Sequence, residues 1–265
     1  MFAPIARREA HAEEDENYFI SMTDMMVGML VIFIIVLMAF ALNYKGAQDK
    51  QETKIQDVRE AIQTLVNEVN DIRQVESRRT ELLRELKRRL ADAGVTVRVD
   101  EQSGVLRLSD ERGILFDFGS AELKPEGIVA IGHLARALEE VVPCYSGRPE
   151  EREARCGGVR DFGLEAVFIE GHTDRVGTER YNLDLSARRA ISTYKELVTV
   201  GASLKDLKNL WDQPLLSVSG YAYFRPISLE EDKRNRRIDL RFIMSVSHER
   251  ALLRIKRELE EILTR

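Results

Sequence analysis

Residues 169–190 read IEGHTDRVGTERYNLDLSARRA. Ala166–Glu170 reads as a short apolar strand. Gly171-His172-Thr173-Asp174 follows it directly, so Asp174 closes the strand. Ser186–Val200 has the pattern of a helix, with Ser186 as its N-cap. On that parse Arg189 falls in the first helical turn. A carboxylate and a guanidinium that face one pocket bind a zwitterion, the acid taking an ammonium and the arginine forking a carboxylate. An internal Asp174–Arg189 salt bridge between strand and helix explains the same two residues equally well, and both readings stand. His172 has no nucleophile or metal partner near it in sequence, which makes it structural or pocket-lining. No catalytic residue, metal site or cofactor is expected.

The flanking segments alternate between strand and helix patterns. Val95, Val97 and Val99 alternate, as do Val105, Leu106 and Leu108 more loosely. Ile114–Phe118, Leu215–Ser219 and Arg237–Met244 are further strand candidates. Pro125–Val142 reads as a helix, with Pro125 suited to its first turn. His248–Arg265 reads as a final amphipathic helix carrying Leu252, Leu253, Ile255, Leu259 and Ile262. Strands separated by helices give a compact sandwich. Pro143–Gly163 is polar and charged and reads as a loop. It holds both cysteines of the chain, Cys144 and Cys156. A disulfide between them would close a loop of about a dozen residues, worth roughly 3 kcal/mol in the chain-entropy view, and would need an oxidising compartment.

Upstream the chemistry changes. Met25–Leu42 is 18 residues without a charge, near the lower limit for crossing a bilayer core. A helix from Tyr18 to Tyr44 would cross fully, with the two tyrosines as interfacial anchors. A cleaved signal peptide fits poorly, because Glu13, Glu14, Asp15 and Glu16 replace a basic n-region. Asp24 precedes the apolar run. It is either a helix cap, since Ser21-Met22-Thr23-Asp24 fits a capping box, or a carboxylate about 9 Å inside a helix that starts near Tyr18. At that depth it costs roughly 2.5–3.5 kcal/mol and is kept for a partner or for ion transfer. Beyond the span, Ile55, Val58, Ile62, Leu65, Val69 and Ile72 step by threes and fours, a coiled-coil seam that fits a parallel homodimer. The alternative is one amphipathic helix lying on its own domain. Gly94 ends the helical pattern. The net charge of −5 gives no reason to expect nucleic acid as a partner.

Three strings in order, FDFGSAELKPEG (116–127), IEGHTDRVGTERYNLDLSARRA (169–190) and NRRIDLRF (235–242), resemble the OmpA-like peptidoglycan-binding domain over roughly residues 95–245. The resemblance implies a β/α sandwich; with the apolar span and the heptad seam already read, the chain is α+β, with a single N-terminal transmembrane helix, a helical coiled-coil linker and that sandwich. The divisions expected are 1–17 tail, 18–44 span, 45–93 linker, 94–247 OmpA-like domain and 248–265 C-terminal helix. It also implies a pocket for the diaminopimelate of peptidoglycan stem peptides. Asp174 would take the ammonium and Arg189 the carboxylate, with Tyr181, Asn182 and Leu185 completing the pocket and Thr173 supporting the backbone. The insertion carrying Cys144 and Cys156 departs from the family pattern.

With one span ahead of such a domain, the chain resembles the B subunits of ion-driven stators of the MotB type. FISMTDMMVGMLVIFIIVLMAFALNY (19–44) is closer in wording to the ZorB family of the Zorya anti-phage systems than to MotB. That likeness implies a homodimer inside a pentameric multi-span A subunit of the ZorA kind, with Asp24 carrying the ion. It implies the inner membrane, a cytoplasmic N-terminus and a periplasmic C-terminal domain. Counting positive charges alone (Lys45, Lys50, Lys54 and Arg59 against Arg7 and Arg8) points the other way, but long translocated domains override that count.

Overall fold

The computed structural model describes residues 6–109, 113–157, 163–230 and 232–245, with side chains from Met22 onward. The expected C-terminal helix 248–265 and the Tyr18 side chain lie outside the described residues. The chain divides into two compact units between Leu65 and Val66.

The N-terminal unit is built on the first part of helix α1, Ala6–Asp92. Its apolar stretch has a mean hydropathy of 3.0 and no buried residues. Every large apolar side chain from Met22 to Leu42 is exposed. A helix of that composition requires an apolar surrounding, and it is long enough to cross a membrane. Because α1 begins at Ala6, Asp24 lies inside the helix and not at its N-terminus. The capping explanation for Asp24 is therefore overturned, since an N-cap has to stand where the first backbone N–H groups lack partners. Seam residues Ile55, Val58 and Ile62 are exposed.

The second unit contains the end of α1 and a five-stranded sheet. Val75, Leu82, Leu83, Leu86 and Leu90 of α1 belong to the same core cluster as the sheet. Val75 and Leu82 sit one place off the heptad seam. The buried stripe thus rotates away from the seam, and the last turns of α1 are part of the domain core, as in the amphipathic-helix alternative. The helix ends in a Schellman motif. Gly94 has φ +77°, its N–H donates to Ala91 O at 3.0 Å, and Val95 N–H donates to Leu90 O at 2.8 Å. Glycine adopts this left-handed conformation without a Cβ penalty.

The strands are β1 (Arg98–Asp100), β2 (Val105–Ser109), β3 (Leu164–His172), β4 (Leu216–Gly220) and β5 (Arg237–Met244), in the order β1-β2-β5-β3-β4. Only β3 and β4 pair in parallel; helix α4, Glu179–Val200, connects them, as a parallel pair requires. One sheet face carries Leu106, Val167, Ile169, Ile238, Leu240 and Phe242 into the core shared with α4 and with α2, Pro125–Val141. Gly171 and Gly220 let α4 lie close on this face. A Cβ on Gly171 would strike the Ser186 carbonyl, and one on Gly220 would come within 2.6–2.8 Å of Ala187.

Three local expectations are corrected. Ile114–Phe118 is not a strand; it makes a single bridge, Phe116 to Leu123. Gly113 and Gly119 bracket it in left-handed conformations, and carbonyls at its end face a side chain instead of a ladder. Pro143–Gly163 is not all loop. It holds a 3-10 turn, Val142–Tyr145, and helix α3, Pro149–Cys156. Pro149 at the first helical position and Glu151 accepting from Arg148 N–H at 3.1 Å start α3. Cys144 and Cys156 are disulfide-bonded, with Cα atoms 5.6 Å apart. Finally, α4 starts two turns before Ser186. Thr178 is its N-cap, accepting from Tyr181 N–H. The buried face of α4 carries Asn182, Ser186, Arg189 and Thr193 at helical spacing; these polar residues hide the apolar period on which a sequence reading depends.

Candidate functional site

A cleft forms where four segments meet beyond the C-terminal end of β3. It is lined by Phe118 and Gly119, by Thr173, Asp174 and Val176, by Tyr181, Asn182, Leu185 and Arg189, and by Arg236. All six of the residues singled out from the sequence therefore face one space. The alternative of a direct Asp174–Arg189 salt bridge does not occur. Asp174 pairs with Arg236 Nη1 at 3.1 Å and accepts from Val176 N–H at 3.1 Å.

Arg189 is 3% exposed, nearly three turns into α4 rather than in its first turn. Its guanidinium donates to Ser120 O at 2.8 Å and to Asp117 O at 3.1 Å, and lies over the Phe116 ring at 4.9 Å. The segment that failed as a strand is thus a seat for Arg189. Tyr181 donates from its hydroxyl to Gly119 O at 3.3 Å, and Asn182 Nδ2 donates to Val176 O at 3.1 Å. These contacts tie the 116–120 loop and the 174–178 turn to the start of α4. The backbone of Thr173 is held by Ala222 O at 2.9 Å. Its hydroxyl is buried without a hydrogen-bond partner, an arrangement that costs energy unless a ligand completes it.

Four lining residues were not foreseen: Gly119, Val176, Arg236 and Phe118. Arg236 was visible only as the first arginine of NRRIDLRF. Phe118, 82% exposed, was visible as the aromatic before Gly119. The cleft offers one carboxylate, two guanidiniums, an unpaired hydroxyl and an exposed ring. It suits a small ligand with both an ammonium and a carboxylate on an aliphatic stem.

His172 lies elsewhere, on the sheet face away from the apolar core. Glu170, His172 and Asp239 bring ligand atoms within 4.8 Å of one another. The two carboxylates are already engaged. Glu170 takes Arg241 through both oxygens at 2.8 and 3.0 Å. Asp239 takes Arg107 at 2.9 and 3.2 Å and Arg237 at 2.9 Å. A cation would have to displace guanidiniums from both acids, so the set is a cross-strand clamp and not a metal centre. Burial lowers the His172 pKa more than Glu170 and Asp239 raise it, which leaves the imidazole neutral near pH 7. It stacks on Tyr221 at 5.4 Å.

Fold and cleft together define a chain with one long apolar helix, among the described residues, and an α+β domain that carries a small polar cleft. Comparison with known proteins gives that domain its relatives: residues 160–237 match the OmpA family. The chain is 29% identical over 144 residues to the peptidoglycan-associated lipoprotein of Pseudomonas aeruginosa, covering 51% of this chain and 67% of that protein. It is 29% identical over 134 residues to outer membrane protein A of Bordetella avium, covering 49% of this chain and 54% of the relative; it thus spans about half of that protein's length. Among solved structures it is similar to a putative MotB-like protein from Desulfovibrio vulgaris, with 21% identity, a TM-score of 0.44, and coverage of 65% of this chain and 98% of the other.

Proposed function

We propose that this chain is the wall-anchored B subunit of an ion-driven membrane motor, gripping peptidoglycan through the Asp174 cleft. The observation that carries the anchor is the convergence of Asp174, Arg189 and Arg236 on one small cleft. Arg236 occupies the Asp174 carboxylate, where the side-chain ammonium of diaminopimelate would sit. A ligand ammonium that replaces it frees Arg236 to join Arg189 in holding the ligand carboxylate, so no buried charge is left alone. The Thr173 hydroxyl gains a partner in the same step. Phe118 and Tyr181 flank the aliphatic stem.

The motor part rests on Asp24. It lies inside α1, beside an uninterrupted apolar run. A passive tether between membrane and wall needs no acid there. In a motor, proton binding neutralises the carboxylate and removes its cost in the membrane, and release restores it. The partner for that cycle is a pentameric A subunit of the ZorA kind, around a B homodimer joined along Ile55, Val58 and Ile62. The SMTDMMVGM wording of the span favours an anti-phage role over flagellar rotation. The orientation follows, with the N-terminus in the cytoplasm and the domain in the periplasm, where the Cys144–Cys156 bond is stable.

The anchor is tested by co-sedimenting the full chain in detergent with purified peptidoglycan sacculi. Wild type pellets and Asp174→Asn stays in solution; equal pelleting refutes the cleft. The motor is tested by phage plating on a host that carries the native operon, at equal membrane expression. Loss of protection with Asp24→Asn supports it, and full protection leaves only a tether.

A further inference from the structure

The chain's single tryptophan, Trp211, is 64% exposed beside Leu210 at 38%. An indole left in water costs hydrophobic free energy that burial would recover. It is not carried on a loose loop. Lys208 and Pro214 form a bridge, and Asn209 N–H donates to Gln213 O at 2.9 Å. The Asn209 side chain, 4% exposed, accepts from Trp211 N–H at 2.9 Å and Gln213 N–H at 3.0 Å and donates to Glu165 O at 3.1 Å. Asp212 takes the left-handed φ of +62° that closes the turn, a conformation aspartate tolerates better than most residues. The turn is therefore locked so as to display the indole.

Beside this turn lies a polar cleft of about 150 Å³. Lys208, Asn209 and Asp212 form one wall, and Arg148 and Arg155 of the disulfide-bonded insertion form the other. Gly147 N–H donates to Lys208 O at 2.7 Å and fastens the two walls together. Arg152, 3% exposed, holds the insertion from beneath by donating to Gly147 O. An exposed indole next in sequence to Asp212, whose carboxylate meets Lys208 Nζ at 3.0 Å on the cleft wall, matches a sugar: the sugar's axial C–H face stacks on the indole and its hydroxyls bond to the charged side chains of the cleft.

We propose that Trp211 and the cleft between the 207–215 turn and the disulfide-bonded insertion form a second site, which binds the glycan strand of the wall polymer. This rests on the wall-anchor reading above, in which the Asp174 cleft takes the stem peptide; the two sites would then share one polymer and raise its retention by avidity. It gives the Cys144–Cys156 insertion a role the peptide cleft does not need.

The test uses the full chain in detergent, with two probes: peptide-free glycan strands and a free stem peptide containing diaminopimelate. Glycan strands shift Trp211 emission to the blue and the stem peptide does not. Trp211→Ala weakens glycan binding roughly tenfold and leaves stem-peptide binding unchanged, while Asp174→Asn does the reverse. Trp211→Tyr, which keeps an aromatic face, retains most glycan binding and controls for a folding defect. Stem-peptide binding without any glycan response overturns this inference alone. Failure of both probes overturns it together with the anchor reading.

Discussion

Replacing Glu170 by glutamine isolates the charged clamp on the outer face of the sheet. Glu170 is 1% exposed and holds Arg241 through two oxygens, with His172 at 3.8 Å and Arg225 at 3.9 Å. Burial pushes its pKa up, but His172 and Arg241 pull it down more strongly, from 4.5 to about 2. At about 1.4 kcal/mol for each pH unit, that interval corresponds to roughly 3 kcal/mol of folding stability. Breaking a buried ion pair by removing one partner costs about 3–5 kcal/mol, which agrees. The sign follows from the lowered pKa. The contribution is complete above the unfolded-state value and is lost as pH falls from about 4.5 to about 2. Glu170→Gln should therefore unfold in urea with about 3 kcal/mol less stability at pH 7, read by near-ultraviolet circular dichroism in detergent. The gap to wild type should close as pH approaches about 2, where both side chains are neutral. A gap under about 1 kcal/mol at pH 7, or one that does not change with pH, refutes the clamp.

Reducing the Cys144–Cys156 bond, or replacing Cys144 by serine, should cost about 3 kcal/mol for a loop of this length, measured by the same urea titration with and without reductant. Gly171→Ala should cost about 1–3 kcal/mol or more, because its Cβ meets the Ser186 backbone and α4 has to move; it should also weaken sacculus binding, since α4 carries Asn182, Leu185 and Arg189. Ile62→Asp should abolish chemical cross-linking of the membrane-inserted chain into dimers, while an aspartate at Gln63, one place off the seam, should leave it intact.

Elements fixed by local chemistry were legible at residue level. Pro125 starts α2 where a proline at N1 predicts, Gly94 closes α1, and β5 spans Arg237–Met244 as its alternation requires. The misreadings share a cause. At the start of α4, Asn182 and Ser186 occupy the buried face, so hydrophobicity does not mark it. At 114–118 the apolar residues look like a strand, but the carbonyl of Asp117 and, just beyond, that of Ser120 bond Arg189. In both places the pattern departs from its element because the residues build the cleft.

The sequence by itself determined the apolar helix, most of the strands and helices and the cysteine pair, because each rests on periodicity or spacing within a short window; the six cleft residues were reached through the likeness of three separated strings to a known domain family. The tertiary structure alone decided that Asp174 meets Arg236 across 62 positions and not Arg189. It also decided that Arg107 reaches Asp239 across 132, and that the turn at Lys208 meets the disulfide-bonded insertion. Such contacts depend on strand register and on where helices settle on the sheet. No local window contains that information, since the free energy that selects it comes from the packed core as a whole.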